Sequence, residues 1–251
     1  MHVQSVPYNL GGHLVAPRTA PVSFLTGVVL AGGKSSRMGQ DKAALMMGQP
    51  LPSGESGPAL AFRMADVLGL ALHADNPKAE IWISCQSDRH IPPSHAHLGR
   101  VHDTIQDAGP LAGITAALEA AKGPIFVLAC DMPLMQSQTV QLLIDARQAA
   151  LQDGTRQHPL LVTAFQGHGK SLATTPNFEP LVAIYEYSAL PLLQQALQKK
   201  HFSLRRIVDQ EALCVVPYGQ NHEESFFNMN NPDDLYTATQ LLLRHTWRHK
   251  A

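Results

Sequence analysis

Three cysteines in 251 residues leave no room for a disulfide framework: Cys85, Cys130 and Cys214 are too few and too far apart. Cys85 and Cys130 sit in apolar runs and read as small buried hydrophobes. No run approaches the roughly 18 apolar residues of a membrane span. The first two dozen residues lack the basic start, apolar stretch and small-residue cleavage site of a secretory signal. The expectation is therefore a soluble, cytoplasmic chain with no membrane partner. An excess of one charge is missing as well. Lys+Arg total 19 and Asp+Glu 20, so no global field draws the chain to nucleic acid, and any anion site must be local. The 13 histidines are scattered. His95, His97, His245 and His249 lack the cysteine or carboxylate companions of a zinc set and read as solvated loop or helix-face residues.

What is present supports a sizeable core: 45% of residues are hydrophobic, and the length fits one large domain or two small ones. Residues 1–24, with Pro7, Gly11, Gly12, Pro17 and Pro21, read as a flexible extension, and residues 25–251 as a single domain. Apolar runs at Gly27–Ala31, Ala79–Cys85, Val101–Asp103 and Pro124–Cys130 alternate with helical spacings at Ala59–His73, Ile114–Ala121 and Ser137–Leu151. Ala43–Met47 reads as a strand or turn. Strands at Pro159–Phe165, Pro180–Tyr187 and Leu213–Val216 and helices at Ala189–Lys200 and Asn231–His245 come later, the last started by Asn231 and Pro232. The alternation predicts an α/β fold, a Rossmann-like three-layer sandwich whose mixed sheet is mostly parallel.

The run Thr26–Lys42 organises the chemistry. A β-branched strand stops at Gly32-Gly33, and Lys34, Ser35, Ser36, Arg37, Gly39 and Lys42 come after it. Backbone N–H groups and cations then converge where a strand ends, which suits a polyanion such as a nucleoside triphosphate. It is neither a Walker A loop nor a Gly-x-Gly-x-x-Gly fingerprint. A second relaxed phosphate-loop pattern, Ala164–Ser171, runs into Pro176 and Pro180 rather than a helix and reads as a connection between two neighbouring strands. Asp131 closes the clearest strand. In parallel sheets ligands gather at carboxyl ends, so this acid is placed either to hold Mg²⁺ or to cap the segment after Pro133. Asp103 ends the shorter strand, and Gly109–Gly113 is a tight turn opening a helix.

Leu30–Gly39 with Asp41-Lys42, together with Cys130-Asp131-Met132-Pro133, resembles the molybdenum cofactor guanylyltransferase family of nucleotidyltransferases. Gly109–Gly113, Glu179–Tyr185 and Phe227–Asn230 continue the resemblance, in order, over Thr26 to Leu243. It implies transfer of GMP from GTP to Mo-molybdopterin with release of pyrophosphate. Arg37, Lys42 and Asp131 would be catalytic. Leu30, Ala31, Gly32, Gly33, Lys42, Gln86, Asp103 and Asp131 would hold the nucleotide, with Asp131 on Mg²⁺. Gly109, Pro110, Gly113, Asn228 and Asn230 would hold the acceptor. Gln86 stands where the family often has Asn, and Glu179 where it has Gln. Molybdoenzymes or other cofactor-biosynthesis proteins are further implied partners. A cytidylyl or sugar-phosphate transferase, and a non-catalytic nucleotide or cofactor carrier, are the competing expectations.

Overall fold

The computed structural model describes residues 24–32, 42–46, 59–85, 90–102, 105, 108–167 and 177–248. The expected extension, residues 1–24, lies outside them save for Phe24. Seven strands, β1 (Thr26–Leu30), β2 (Ile81–Cys85), β3 (Gly99–His102), β4 (Ile125–Ala129), β5 (Val162–Gln166), β6 (Phe178–Tyr185) and β7 (Leu213–Val216), form one sheet in the order β3-β2-β1-β4-β6-β5-β7. Every neighbouring pair is parallel except the two that involve β6. The helices are α1 (Leu60–Asp75), α2 (Pro110–Ala121), α3 (Ser137–Gln152), α4 (Leu190–Gln198), α5 (Leu204–Ile207) and α6 (Pro232–Arg248).

The central strands explain the layering. All five residues of β4 are buried, as are four of five in β1, because helices cover both faces. Successive side chains alternate between the faces. Val29, Phe126 and Leu128 join the α1 and α3 side, whereas Val28, Ile125 and Val127 join the α2 and α4 side. In α1 the expected apolar set, Leu60, Met64, Val67, Leu68 and Ala71, is entirely buried. The two-sided, mostly parallel sheet is as the alternation predicts.

Several expectations are corrected. Of the two readings of Ala43–Met47, strand or turn, the described residues show the turn: Lys42–Ala44 forms a single 3-10 turn, and Met46 makes an isolated bridge with Ala59. Helix α2 begins at Pro110 rather than Ile114, since proline is well suited to a first helical position. Strand β6 begins at Phe178, before Pro180. The proline falls where pairing with β4 has stopped at Val182 and where the β5 register shifts between Ala164 and Gln166, an irregular stretch of the ladder that tolerates a missing donor. Helix α5 is too short to show a period. His95 is buried, not solvated. Its Nδ1 bonds Ser94 Oγ at 2.9 Å and its Nε2 bonds Asp66 Oδ1 at 3.2 Å. The Ala164–Ser171 pattern begins in β5, which pairs antiparallel with β6, the next strand in the chain, as expected of a connection.

Candidate active site

The chain leaves β1 for β2 and β3 on one side, then returns to β4 on the other side of β1. Loops at the carboxyl ends of β1 and β4 therefore diverge, opening a crevice at the switch in strand order. The register fixes what borders it. Leu30 is level with Ala129, Cys130 N–H donates to Leu30 O at 3.3 Å, and Ala31 N–H donates to Ser84 O at 2.8 Å. Leu30, Ala31 and Gly32 thus emerge one strand spacing, about 4.8 Å, from the strand that delivers Asp131. Ala31 is buried and Gly32 exposed.

The Asn228–Asn230 segment is tied to the same place. Met229 N–H donates to Asp131 O at 2.9 Å, and the Met229 side chain is fully buried with Leu60, Leu134 and Ala238. Of the asparagines on either side of it, both are exposed. The start of α6 fixes the far end. Asp234 Oδ2 accepts from Asn230 N–H at 2.6 Å and Asn231 N–H at 3.0 Å, while Asp234 N–H donates to Asn231 Oδ1 at 3.0 Å. This is a reciprocal capping box, so Asn231 serves as the helix cap that its sequence position suggests.

Helix α2 brings its N-terminus to the crevice's other flank. Gly109 has φ +61° and ψ −150°, which only glycine adopts readily, and Pro110 occupies the first turn. Gly113 lies in the helix, where a Cβ would come 2.8 Å from Ser84 Oγ and 3.2 Å from Leu30 Cδ2. Its missing side chain lets α2 seat closely on β1 and β2. Gly32 differs. Its φ is not positive, and the nearest described atom to a Cβ there is Cys85 Cα at 4.0 Å.

Gly33, Arg37, Gln86, Asp103 and the Lys42 side chain lie outside the described residues. The Lys42 backbone opens the 3-10 turn. Just beyond that turn, Leu45 O accepts from Leu60 N–H at 2.9 Å, and the Leu45 side chain packs with Leu60, Leu134 and Met229, which places the turn beside the Asp131 loop. Glu179 lies on β6, three residues before Val182, where pairing with β4 begins. Its Oε1 lies 3.6 Å from Arg205 Nη2, and Arg205 Nε donates to Phe178 O at 2.8 Å. Burial, with Glu179 and Glu223 nearby, raises the Tyr218 phenol above its ordinary value. Among the described residues no three His, Cys, Asp or Glu side chains gather as a metal cage. A cavity of about 360 Å³ opens at the opposite edge of the sheet, between Thr26, Asn76, Lys78 and Glu80, and touches none of the residues at the crevice.

This arrangement has known counterparts. The MobA-like NTP transferase domain matches residues 27–215. This chain belongs to that family. A probable molybdenum cofactor guanylyltransferase of Opitutus terrae is 32% identical, the match spanning 86% of this chain and 95% of the relative. The molybdenum cofactor guanylyltransferase of Rhizobium leguminosarum bv. trifolii is 30% identical over 88% of this chain and 94% of its own. In three dimensions the molybdopterin-guanine dinucleotide biosynthesis protein A of Archaeoglobus fulgidus superposes with a TM-score of 0.62 at 22% identity, covering 88% of this chain and all of the other. That last likeness concerns the fold. One residue of this MobA-like domain, Arg63, escapes motif reading, whereas Asp234 belongs to the motif that continues past Asn230. Asp234 anchors the backbone of the Asn228–Asn230 segment, and Arg63 Nε donates to Pro133 O at 2.9 Å, two residues past Asp131. The only sequence signal for Arg63 is a lone arginine inside an apolar helical run.

Proposed function

We propose that this chain transfers GMP from GTP to the phosphate of Mo-molybdopterin, releasing pyrophosphate and forming the guanine dinucleotide of the cofactor. The observation that carries the reading is the pairing at the crevice. An exposed glycine backbone ends β1, a carboxylate ends the adjacent β4, and Met229 straps two exposed amides to that carboxylate's own backbone. Neither backbone conformation nor contact with a described atom requires glycine at position 32, so its value lies in letting a ligand reach the main chain.

In this reading an acceptor phosphate oxygen attacks the α-phosphorus of GTP. The new P–O bond forms as the bond to the β-phosphate breaks, and pyrophosphate carries off the electron pair. The acceptor is already an anion and needs little help from a base. The obstacle is repulsion between two polyanions, so positioning and charge neutralisation do the catalysis. Leu30, Ala31, Gly32 and Gly33 seat the nucleotide through their backbone, with Gln86 and Asp103 beside it. Arg37 draws on the leaving pyrophosphate and Lys42 neutralises charge near the transferred phosphorus. Gly109, Pro110 and Gly113 border the acceptor, and Asn228 and Asn230 read the donor and acceptor edge of its pterin. Asp131 would hold Mg²⁺, which supplies positive charge to the phosphate oxygens. The donors fit that hard cation, because Mg²⁺ at nucleotide sites takes one or two carboxylates plus substrate phosphates rather than a protein cage. Among the described residues no helix is long and apolar enough to cross a membrane. The reading places the protein in the cytoplasm, handing its product to molybdoenzymes or to other proteins of cofactor assembly.

The test is pyrophosphate release with Mo-molybdopterin and each of GTP, CTP, ATP and UTP. Release with GTP above the other three is expected. A preference for CTP, or GTP binding with no release, refutes the reading.

A further inference from the structure

Helix α1 contains a single arginine or lysine, Arg63, and the transfer chemistry above leaves it unused. Its setting is unusual for a charge. It lies between buried Phe62 and Met64, one turn into the helix from the end where Leu60 packs on Leu134 and Met229. The guanidinium is half-buried. Burial pulls its pKa below the ordinary arginine value, with Asp66 acting against that shift. Yet no carboxylate among the described residues forms an ion pair with it, and Asp66 bonds His95 instead. What Arg63 holds is a backbone carbonyl, Pro133 O, at 2.9 Å. A buried carbonyl with a charged donor makes one of the stronger hydrogen bonds available to a loop.

That carbonyl belongs to a short segment whose Met132, Leu134 and Met135 side chains are buried in the core, while Arg63 holds its main chain. Met135 N–H closes a turn onto Met132 O at 3.0 Å, and Met229 N–H reaches Asp131 O at 2.9 Å. The main chain of residues 131–135 is thus tied to α1 on one side and to the Asn228–Asn230 strap on the other. A carboxylate on such a loop is only as well placed as the loop itself, and an error of about 1 Å in a reacting group can cost about 100-fold in rate.

We propose that Arg63 is a positioning residue for Asp131: by gripping the Pro133 carbonyl it fixes the loop that carries the carboxylate. The kinetic consequence rests on the transfer reading; the geometric claim does not. Lysine at this position could still donate to the carbonyl, whereas leucine fills the space and cannot.

Arg63→Leu and Arg63→Lys test this in two ways on the full chain. Residue-resolved amide exchange reads Met135 and Met229, whose N–H groups report on the loop and on Asp131 directly. In Arg63→Leu both amides should exchange about tenfold faster or more, while β1, β4 and the last two turns of α1 keep their protection. In Arg63→Lys both should stay within about threefold of the wild type. In pyrophosphate release, Arg63→Leu should lower kcat about tenfold or more and raise the Mg²⁺ concentration for half-maximal rate, with KM for GTP nearly unchanged and lysine restoring most of the loss. Unchanged exchange at both amides overturns the proposal. So does an equal rise across the whole sheet, or local exchange with unaltered kcat. Local exchange in a protein whose wild type releases no pyrophosphate from any triphosphate upholds the positioning and sinks the transfer reading instead.

Discussion

Arg147 and Arg63 sit at opposite edges of the sheet and are used in opposite ways. At the amino edge of the parallel strands, where β6 ends, Arg147 of α3 meets Glu186 through two bonds, Nε to Oε1 at 2.5 Å and Nη2 to Oε2 at 2.9 Å. Their side chains are 4% and 12% exposed. The pair is closed on itself and offers little to a ligand, so its work is to hold a helix to the sheet. At the carboxyl edge Arg63 satisfies one carbonyl, and around it lie the exposed groups Gly32, Asn228 and Asn230. One edge consumes its polar groups internally and the other keeps them available. Stability and chemistry are therefore separable by position, and substitutions at the two edges should separate them in measurement.

The largest expected effect is at the closed edge. Arg147→Met leaves Glu186 buried without its partner and should cost about 3–5 kcal/mol of stability, read by denaturant unfolding. Turnover per folded molecule should stay near the wild-type value. Arg147→Met with Glu186→Leu should recover most of the stability, because two buried charges are then removed together. A double variant as unstable as the single one would mean that packing, not charge, decides this contact. At the open edge the pattern inverts. Asp131→Ala should fold with wild-type stability to within about 1 kcal/mol, a typical size for a half-exposed site. It should lose about 2.7–4 kcal/mol of transition-state stabilisation, about 10²–10³ in kcat. Wild-type turnover at saturating Mg²⁺ and GTP would remove the carboxylate from the chemistry.

Two glycines sharpen the same contrast at smaller amplitude. Gly109 has a φ of +61° with open space where a Cβ would stand, so Gly109→Ala isolates backbone strain. It should cost about 1–3 kcal/mol, read as a lowered melting temperature. Gly32→Ala meets no strain, and its nearest described neighbour, Cys85 Cα, stands at an ordinary 4.0 Å, so stability should move by no more than about 0.5 kcal/mol. Its effect should appear in the KM for GTP, which rises if the nucleotide packs on that backbone. An unchanged KM would leave the glycine without a ligand to explain it.

The same division runs through what the sequence makes legible. The central strands are readable because burial on both faces forces continuous apolar runs, as in Ile125–Ala129. Asp131 is readable because a carboxylate after such a run stands where ligands gather. Positions mislead where a local rule meets a tertiary exemption. Pro180 looks like the first residue of a strand, yet it lies inside β6, where pairing with β4 has ended and the register with β5 is interrupted, so its missing donor is tolerated. The start of α2 is displaced in the sequence because Gly113 weakens helical propensity while serving close packing on Ser84. Arg63 and Glu186 are invisible as functional or structural partners because their bonds span 70 and 39 residues of chain. No window of local periodicity can hold such a contact. His95 misleads for the same reason, its partner Asp66 lying 29 residues away on α1.

A last, modest effect tests whether the strap itself belongs to the open edge. Asn231 caps α6 and Asp234 returns the bond, also accepting from Asn230 N–H. Asn231→Ala should cost about 1 kcal/mol, the usual worth of a helix cap. That loss alone would class the capping box with the closed edge. The box, however, shares Asp234 with the amide beside an exposed asparagine, and Met229 joins the same segment to Asp131. A loosened cap should therefore reach the acceptor side before the nucleotide side. KM for Mo-molybdopterin should rise severalfold while KM for GTP holds. A thermal shift with both constants unchanged would show that α6 stops at holding itself together, and that Asn228 and Asn230 are placed by Met229 alone.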